Sequence, residues 1–364
     1  MTWLAIADHK DRRFSLRGLG AGKRAEPVCP DHPTTLMTRG TLMFETRMSP
    51  DGRPQVLFGY KNPHPWHRSL VFQAIPGGGV AMVQVQASDI THAAIQHKNS
   101  GRTDILRITY AWDSPRKWGR LTLEQPGETT LISVPVANPR PVPLEDLRDL
   151  MLGRGEQDFA SDLIFAALSD RIEPVGPMPS LSLSTPVATP WGYRAAGELK
   201  RGDTVHTLRG DVVPVLHTVR RRLPARGSYA PIRLRSPYYG LQKDVLVAQD
   251  QRLVISGPEV EYLFSKEAVL MPARHLLNGF SAQPEPCGPT VDYCQVILPG
   301  HDTLIAAGAP LESLYIGRIR RNAVQVENSL LHGLERAHLP EHGQAAYPVL
   351  KWYEAITLAK RRAA

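Results

Sequence analysis

Long apolar runs are absent from this sequence. No segment of its 364 residues approaches the roughly 18 consecutive apolar residues that a membrane-spanning helix needs, so no membrane span is predicted. The opening stretch, MTWLAIADHKDRR, places its apolar residues before its charges, which is the reverse of a Sec signal peptide. We therefore expect a protein that is cytoplasmic or exported by a route that leaves no N-terminal mark.

Cysteine is scarce. The three cysteines, Cys29, Cys287 and Cys294, are too few and too unevenly spaced for a structural zinc site, which needs four ligands. Cys287 and Cys294 are close enough in sequence to bridge a hairpin in an oxidising compartment, and the alternative is that they are free thiols. No cofactor is predicted.

Acidic residues are outnumbered, and the net charge of +8 is carried mostly by arginine. A nucleic-acid-binding protein would need a concentrated basic face or a recognisable module. The basic clusters are instead scattered, at residues 220–222, 318–321 and 360–362, and no module accompanies them. We expect solvated basic surfaces and no nucleic-acid partner, while the composition leaves the oligomeric state open.

What the sequence does contain is the pattern of a β protein. Its 32 prolines and 29 glycines suit many short strands and tight turns. Seven β-branched or alternating runs follow one another in residues 41–136 without a helical pattern between them, which favours an antiparallel sandwich. The runs are TLMFETRM, QVLFGY, SLVFQAI, VAMVQVQA, DILRITYAW, GRLTLEQ and TLISVPV.

The character of the chain changes after residue 136. A short amphipathic helix is predicted from the spacing of Leu144, Leu147, Leu150 and Met151. An apolar strand in DFASDLIFAALSD and a proline-rich exit follow, so the sequence places a domain boundary near Gly176.

The β signals resume in residues 180–316. In DTVHTLRGDVVPVL two apolar runs flank Gly210, which predicts a hairpin, and VLVAQDQRLVIS has the pattern of a strand, a polar kink and a second strand. The segment YPVLKWYEAITLAKRR has helical spacing and ends in basic residues, which is typical of a helix C-terminus.

Four segments of residues 180–316 resemble the Hint domain, the fold shared by Hedgehog autoprocessing domains and inteins, and they are closest to its bacterial branch. In chain order they are ATPWGYRAAGELKRGDTVHT, DVLVAQDQRLVISGP, VLMPARHLLNG and AAGAPLESLYIG. Residues 41–136, with ITYAWD and WGRLTLE, more loosely resemble a concanavalin-like lectin sandwich.

The two resemblances imply a mainly β protein. Its parts would be an N-terminal antiparallel β-sandwich of the jelly-roll, lectin-like type, a C-terminal Hint-like β horseshoe domain and a C-terminal helix. The expected organisation is an N-terminal extension over residues 1–40, the sandwich over 41–176, the Hint-like domain over 177–320 and a helical tail over 321–364.

An active Hint domain works on its own backbone, because a Cys or Ser at its first position attacks the preceding carbonyl. Counting back from the ATP turn places Ser180 at the position of the family nucleophile. Gln251 stands where the family has a histidine. The His-Asn pair that ends an intein has no counterpart in GAPLESLYIG.

Both departures from the family pattern weaken the chemistry. A serine hydroxyl is far harder to ionise than a cysteine thiol, and a glutamine amide neither takes nor gives a proton at neutral pH. The Pro179 ring crowds the carbonyl to be attacked. The resemblance therefore implies a catalytically degenerate module, now structural or binding, with its enzymatic activity lost. The alternative is active N–O acyl shift at Pro179–Ser180, with a substitute base among His217, His275 and His301.

Two other groups of residues invite a functional reading. His64 and His67 in NPHPWH have the spacing of metal ligands but are also typical of a surface turn, and no metal site is predicted. Asp51 and Asp113 belong to turns and lack the partner acid that glycoside hydrolysis needs.

Tryptophan supplies the remaining candidates. Trp66, Trp112 and Trp118 are candidate platforms for sugar rings, although the last two flank a predicted hairpin turn. Carbohydrate binding is therefore a third reading, and the candidate partner is a carbohydrate or another protein.

A disused cleft would tolerate substitution. We expect Ser180→Ala and Gln251→Ala each to lower the free energy of unfolding by less than about 1 kcal/mol. Gly202→Val would lower it by about 1–3 kcal/mol, because the turn at Gly202 calls for a positive φ.

Overall fold

The computed structural model describes residues 3–20, 35–48, 53–97, 103–128 and 130–363. The chain divides between Val175 and Gly176 into two compact units. Cys29 and Asp51 lie outside the described residues. None of the helices in the described ranges has the length and apolar character needed to cross a bilayer.

The N-terminal unit consists of short strands and one helix, α1 (Leu144–Leu152). Its strands are β1 (Trp3–Ala7), β2 (Arg12–Phe14), β3 (Leu36–Met37), β4 (Arg39–Met48), β5 (Gln55–Asn62), β6 (Arg68–Ala74), β7 (Val80–Gln86), β8 (Asp89–Ile95), β9 (Asp104–Asp113), β10 (Trp118–Glu124), β11 (Leu131–Ala137), β12 (Val142–Pro143), β13 (Gln157–Phe159) and β14 (Leu163–Ser169).

Two antiparallel sheets enclose the core of this unit. One has seven strands in the order β11-β10-β9-β4-β14-β1-β2, and the other has five in the order β13-β5-β6-β7-β8. Phe44 of the first sheet packs on Phe58 and Phe72 of the second, with ring centroids 5.4 and 5.1 Å apart. The apolar halves of the alternating strands thus face each other, and the predicted antiparallel sandwich is confirmed.

The helix and most of the longer strands of this unit follow the sequence pattern. Leu144, Leu147, Leu150 and Met151 are all buried on one face of α1, as their spacing predicts. Residues 3–14, assigned from the sequence to an N-terminal extension, instead form β1 and β2 of the seven-stranded sheet. All five residues of β1 are buried, so the strand shows no alternation that would reveal it. Strand β8, in DITHAAI, also has no counterpart among the predicted runs.

The C-terminal unit is again mostly β, with three α-helices: α2 (Pro258–Phe264), α3 (Ala323–Glu327) and α4 (Trp352–Ala363). Its strands are β15 (Leu181–Ser182), β16 (Pro186–Thr189), β17 (Gly192–Ala195), β18 (Thr204–His206), β19 (Val212–Pro214), β20 (His217–Pro224), β21 (Pro231–Leu234), β22 (Val245–Ala248), β23 (Arg252–Ser256), β24 (Ala268–Pro272), β25 (Ala282–Pro284), β26 (Thr290–Ile297), β27 (Thr303–Ala306) and β28 (Ala309–Glu312).

Two six-stranded antiparallel sheets form the body of this unit. Their strand orders are β20-β26-β15-β22-β21-β25 and β17-β16-β27-β28-β23-β24. The strand pair that the sequence predicts in VLVAQDQRLVIS is present, and its polar kink carries the chain from the first sheet to the second. The kink therefore lies where the two sheets meet, which is the position that matters for the candidate site.

The predicted turns of this unit are present as well. Strands β18 and β19 pair as an antiparallel hairpin on either side of Gly210. Gly202 has a φ of 90°, and the neighbouring Asp203 Oδ2 accepts the backbone N–H of Lys200 at 2.8 Å. The glycine therefore supplies the left-handed backbone and the carboxylate supports the turn, as expected from the GD step.

The predicted C-terminal helix is confirmed as α4. Ala355 and Leu358 of this helix are buried in the core of the C-terminal unit. Residues 321–364 are more than a helical tail, because Val326 and Leu331 pack with the buried Ile297 of β26.

Candidate functional site

Ser180 and Gln251 lie side by side in the C-terminal unit. Ser180 immediately precedes β15, and Gln251 occupies the kink between β22 and β23. The backbone N–H of Ala248, at the end of β22, donates to the Ser180 carbonyl oxygen at 2.8 Å. Pairing of β15 with β22 thus brings the start of the unit against the kink, although the two residues are 71 positions apart in sequence.

The two side chains are in direct contact. Ser180 Oγ donates a hydrogen bond to Gln251 Oε1 at 2.5 Å. Gln251 is only 2% exposed, and its Nε2 donates to the carbonyl oxygens of Arg252 at 2.8 Å and Glu312 at 3.1 Å. A side-chain amide has two N–H groups, so these two carbonyls occupy both of them.

A second amide lies beside the first. Gln295 of β26 is buried, and its Nε2 donates to the Glu312 carbonyl at 2.6 Å and to Gln251 Oε1 at 3.3 Å. Sequence analysis missed Gln295 and Glu312. The available signal was one glutamine inside the otherwise apolar run YCQVIL, since a buried polar side chain in a strand needs a specific partner.

The arrangement around Ser180 is poor in the groups that activate a nucleophile. Gln251 Oε1 holds the hydroxyl hydrogen but does not remove it at neutral pH. The amide N–H groups point at backbone carbonyls of the kink and of β28, so they are not available to polarise the Pro179–Ser180 amide. The contacts position Ser180 without giving it a base.

His301 lies behind this site. Its side chain is buried, with Nε2 3.1 Å from Glu312 Oε1, and Nδ1 accepts the backbone N–H of Ala346 at 2.8 Å. Glu312 also accepts from Arg252 Nη1 at 3.0 Å. His301 thus contacts the Glu312 carboxylate and the backbone of Ala346, in the loop before α4. Gln251 contacts the same Glu312 through its backbone carbonyl.

The other two candidate histidines lie elsewhere in the unit. His217 begins β20 opposite Ile297. Burial, followed by the charges of Arg201 and His338, lowers its pKa. His275 belongs to a short turn, residues 273–276, directly after β24. Within the described part of the chain, no hydrogen bond joins any of the three histidines to Ser180 or Gln251.

Stability should fall in acid because of His275. Burial, followed by the neighbouring Arg274, lowers its pKa to about 4, whereas an unfolded histidine titrates near 6.5. The unfolded chain binds the proton first as the pH falls. This contribution is therefore present above pH 6.5 and is lost between about pH 6.5 and 4.

Denaturant melts at several pH values test this expectation on the full chain. The variant His275→Gln should lose less stability than the original protein between pH 7 and pH 4.5. Equal losses in the two proteins would show that His275 does not contribute to the acid sensitivity.

The two cysteines of the C-terminal unit lie away from position 180, where the family has its nucleophile. Cys287 is exposed and Cys294 is buried, and both are free thiols rather than a bridge. Cys294 pairs with Leu181, next to Ser180, but burial raises the pKa of its thiol to about 12. A thiol with that pKa is almost entirely protonated at neutral pH and is a weak nucleophile.

The remaining candidates belong to the N-terminal unit. His64 and His67 are exposed in the hairpin between β5 and β6, and no group of three metal-ligating residues occurs among the described residues. Asp113 Oδ1 accepts the backbone N–H of Arg116 at 3.2 Å, which is the local turn contact that its position favours. Trp112 is buried and donates from Nε1 to the Met37 carbonyl at 2.9 Å, so it is structural.

The C-terminal unit is a β domain in which Ser180, at its start, contacts Gln251 in the polar kink between its two large sheets. Residues 179–318 match the family model of the Hint domain, so this part of the chain is a Hint domain. The N-terminal unit is an antiparallel β-sandwich. No curated protein matches the chain.

Two solved structures are similar to parts of the chain. The MchDnaB-1 intein is 18% identical, with a TM-score of 0.25, over 36% of this chain and 98% of the intein. The carbohydrate-binding module CBM40 of the Ruminococcus gnavus IT-sialidase, solved with α2,6-sialyllactose bound, is 11% identical, with a TM-score of 0.23, over 36% of this chain and 76% of the module.

Proposed function

We propose that the Hint domain of this protein no longer cleaves its own chain and now acts as a structural or binding module. The single observation that carries the proposal is the contact in which Ser180 donates to the buried Gln251. At the place where the family has a histidine, this chain has a side chain that accepts a hydrogen bond but does not take the proton.

The magnitude of the loss supports the proposal. General acid–base help is worth roughly 10²–10⁴-fold in rate. Serine in place of cysteine also removes the easily ionised sulfur. The Gln251 amide is bound to two backbone carbonyls, so a rotation toward the scissile amide would break both hydrogen bonds inside a buried site. Self-cleavage would therefore need a base that reaches Ser180 through a rearrangement.

Intact mass spectrometry of the purified full chain tests the proposal. We expect one species of 40.3 kDa, unchanged by incubation with hydroxylamine or a thiol, because no ester or thioester forms. Cleavage between Pro179 and Ser180 that disappears in Ser180→Ala would instead establish active autoproteolysis, and the proposal would be wrong.

A double variant and its matched control test whether the two family side chains are what this domain lacks for self-cleavage. The double variant Ser180→Cys, Gln251→His restores both family side chains and should cleave slowly if only those were lost. The matched control is Ser182→Cys with Gln251→His, since Ser182 lies two residues after Ser180, in β15, and bonds to Thr185 at 2.9 Å. Cleavage in the first variant alone supports the assignment of Ser180, and equal cleavage in both would contradict it.

The partner of such a module is part of the same proposal. A Hint domain that does not cut is retained for its fold or for what it binds, and we propose a carbohydrate or another protein as the partner class. The N-terminal sandwich offers a specific surface for the first of these.

A further inference from the structure

The hairpin between β5 and β6 presents one tryptophan to solvent above a buried ion pair. Trp66 is 52% exposed, whereas Arg68, two residues later, and Asp146, in the first turn of α1, are buried. The other tryptophans described in this unit, Trp3, Trp112 and Trp118, are buried or less exposed.

The side chains beneath Trp66 are held rigidly. Arg68 donates from Nε and Nη2 to the two carboxylate oxygens of Asp146 at 2.8 and 3.0 Å, a bidentate pair. Asn62 donates to Asp146 Oδ1 at 3.0 Å, and its own Oδ1 accepts the backbone N–H of His64 at 3.2 Å. The same carboxylate thus fixes the guanidinium and both ends of the hairpin turn.

The guanidinium in turn supports the indole. Arg68 Cζ lies 4.9 Å from the centroid of the Trp66 ring, in cation–π contact. One side of the ring therefore packs on protein while the exposed half of the residue meets solvent. Because the ring is already ordered, a ligand that stacks on it loses little additional conformational entropy.

Two other exposed tryptophans, Trp191 and Trp118, have a different setting. Trp191 is 85% exposed at the tip of the β16–β17 hairpin, where its backbone N–H bonds to Thr189 Oγ1. Trp118 is less exposed than Trp66, and its neighbour Arg120 lies 5.7 Å from the ring centroid. Among the described tryptophans of the N-terminal unit, Trp66 is the one that combines half exposure with a guanidinium held by a buried carboxylate.

We propose that the exposed face of Trp66 is a binding site for a carbohydrate, with a hexopyranose ring stacked on the indole. The C–H groups on one face of a pyranose are apolar and match the size of an indole ring. His64 and His67 belong to the same hairpin turn and are exposed, and imidazole groups are suited to bind hydroxyl groups. A cationic ligand is disfavoured, because the ring already carries the Arg68 guanidinium on one side.

This site is independent of self-cleavage, since all its residues belong to the N-terminal unit. Carbohydrate binding at Trp66 does not depend on whether Ser180 reacts. Intact mass reports on the Hint domain and sugar binding reports on Trp66, so failure of one proposal is distinguishable from failure of the other.

Titration calorimetry of the full chain with lactose, cellotetraose and chitotetraose tests the site. We expect at least one of these sugars to bind with the weak affinity typical of a single stacking platform, with Kd of about 0.1–10 mM. Trp66→Ala should weaken that binding by at least about tenfold, and Trp66→Phe should weaken it less, because a smaller aromatic face remains.

Trp191→Ala is the matched control, because it removes a more exposed tryptophan from the other unit. It should leave the affinity within about twofold. Thermal melts of Trp66→Ala should resemble those of the original protein, since the ring lies outside the core. Binding of none of the three sugars, or equal binding by Trp66→Ala, would overturn the proposal.

Discussion

Asp146→Ala is expected to lower the free energy of unfolding by about 3–5 kcal/mol, the largest effect of any single substitution considered for this protein. The Asp146 side chain is 2% exposed, and it is the partner of a buried arginine. Its removal leaves the Arg68 guanidinium charged inside the fold, because a guanidinium does not lose its proton at neutral pH. Asn62 and Tyr60 would lose the same acceptor.

The measurement is a denaturant melt of the full chain, with hydrogen exchange of the amides in β5, β6 and α1 to localise the change. Asp89→Ala is the matched control, because Asp89 is 54% exposed and pairs with Arg140 at the surface. It should cost less than about 1 kcal/mol. The double variant Arg68→Leu, Asp146→Leu should recover much of the loss, since replacing both partners removes the unpaired charge. A double variant as unstable as Asp146→Ala would contradict this account.

Gln251→Ala is expected to lower the free energy of unfolding by about 2–4 kcal/mol, more than a disused cleft would lose. The side chain is buried and bonds to Ser180, Gln295 and the Glu312 carbonyl. Truncation leaves a cavity, and the Ser180 hydroxyl loses its acceptor in a place with little access to water. The burial revises the sequence-based expectation of less than about 1 kcal/mol, which assumed a solvent-lined position.

Denaturant melts of three variants decide whether Gln251 is a buried structural residue or part of an open cleft. Gln249→Ala removes a less buried glutamine from the same kink and should cost less than about 1 kcal/mol. Gly202→Val should cost about 1–3 kcal/mol, and here the cause is only its positive φ, since a Cβ at Gly202 would meet no atom within 4 Å. Gln251→Ala should exceed both, and a smaller loss than that of Gly202→Val would place Gln251 in an open cleft after all.

Much of the secondary structure could be predicted from the sequence. The runs of residues 41–136 became strands of the sandwich. Buried and more exposed residues alternate in β7, whereas nearly every residue of β4, β9 and β10 is buried. Helix α1, the β18–β19 hairpin and the strands on either side of the kink appear where local spacing and turn residues predict them. Strand β1 was missed because it is buried on both faces, which removes the alternation by which strands are recognised.

The candidate site was predicted through a resemblance rather than through a local pattern. The resemblance to the Hint domain placed Ser180 at the position of the family nucleophile and Gln251 at that of the family histidine, and the structure brings the two side chains into contact. That contact establishes that Ser180 and Gln251 lie side by side. Whether they retain any catalytic role stays a prediction, for the mass measurements to test.

The sequence by itself determined the local elements and the exchange of a titratable side chain for an amide at position 251. Only the tertiary structure decided what that amide does. Its partners Gln295 and Glu312 lie 44 and 61 positions away, on strands of different sheets. No spacing rule relates residues so far apart, because their distance is set by how the two sheets pack. The burial that makes Gln251 a hydrogen-bond acceptor for Ser180 is likewise a property of that packing, and it exists only once both sheets are in place.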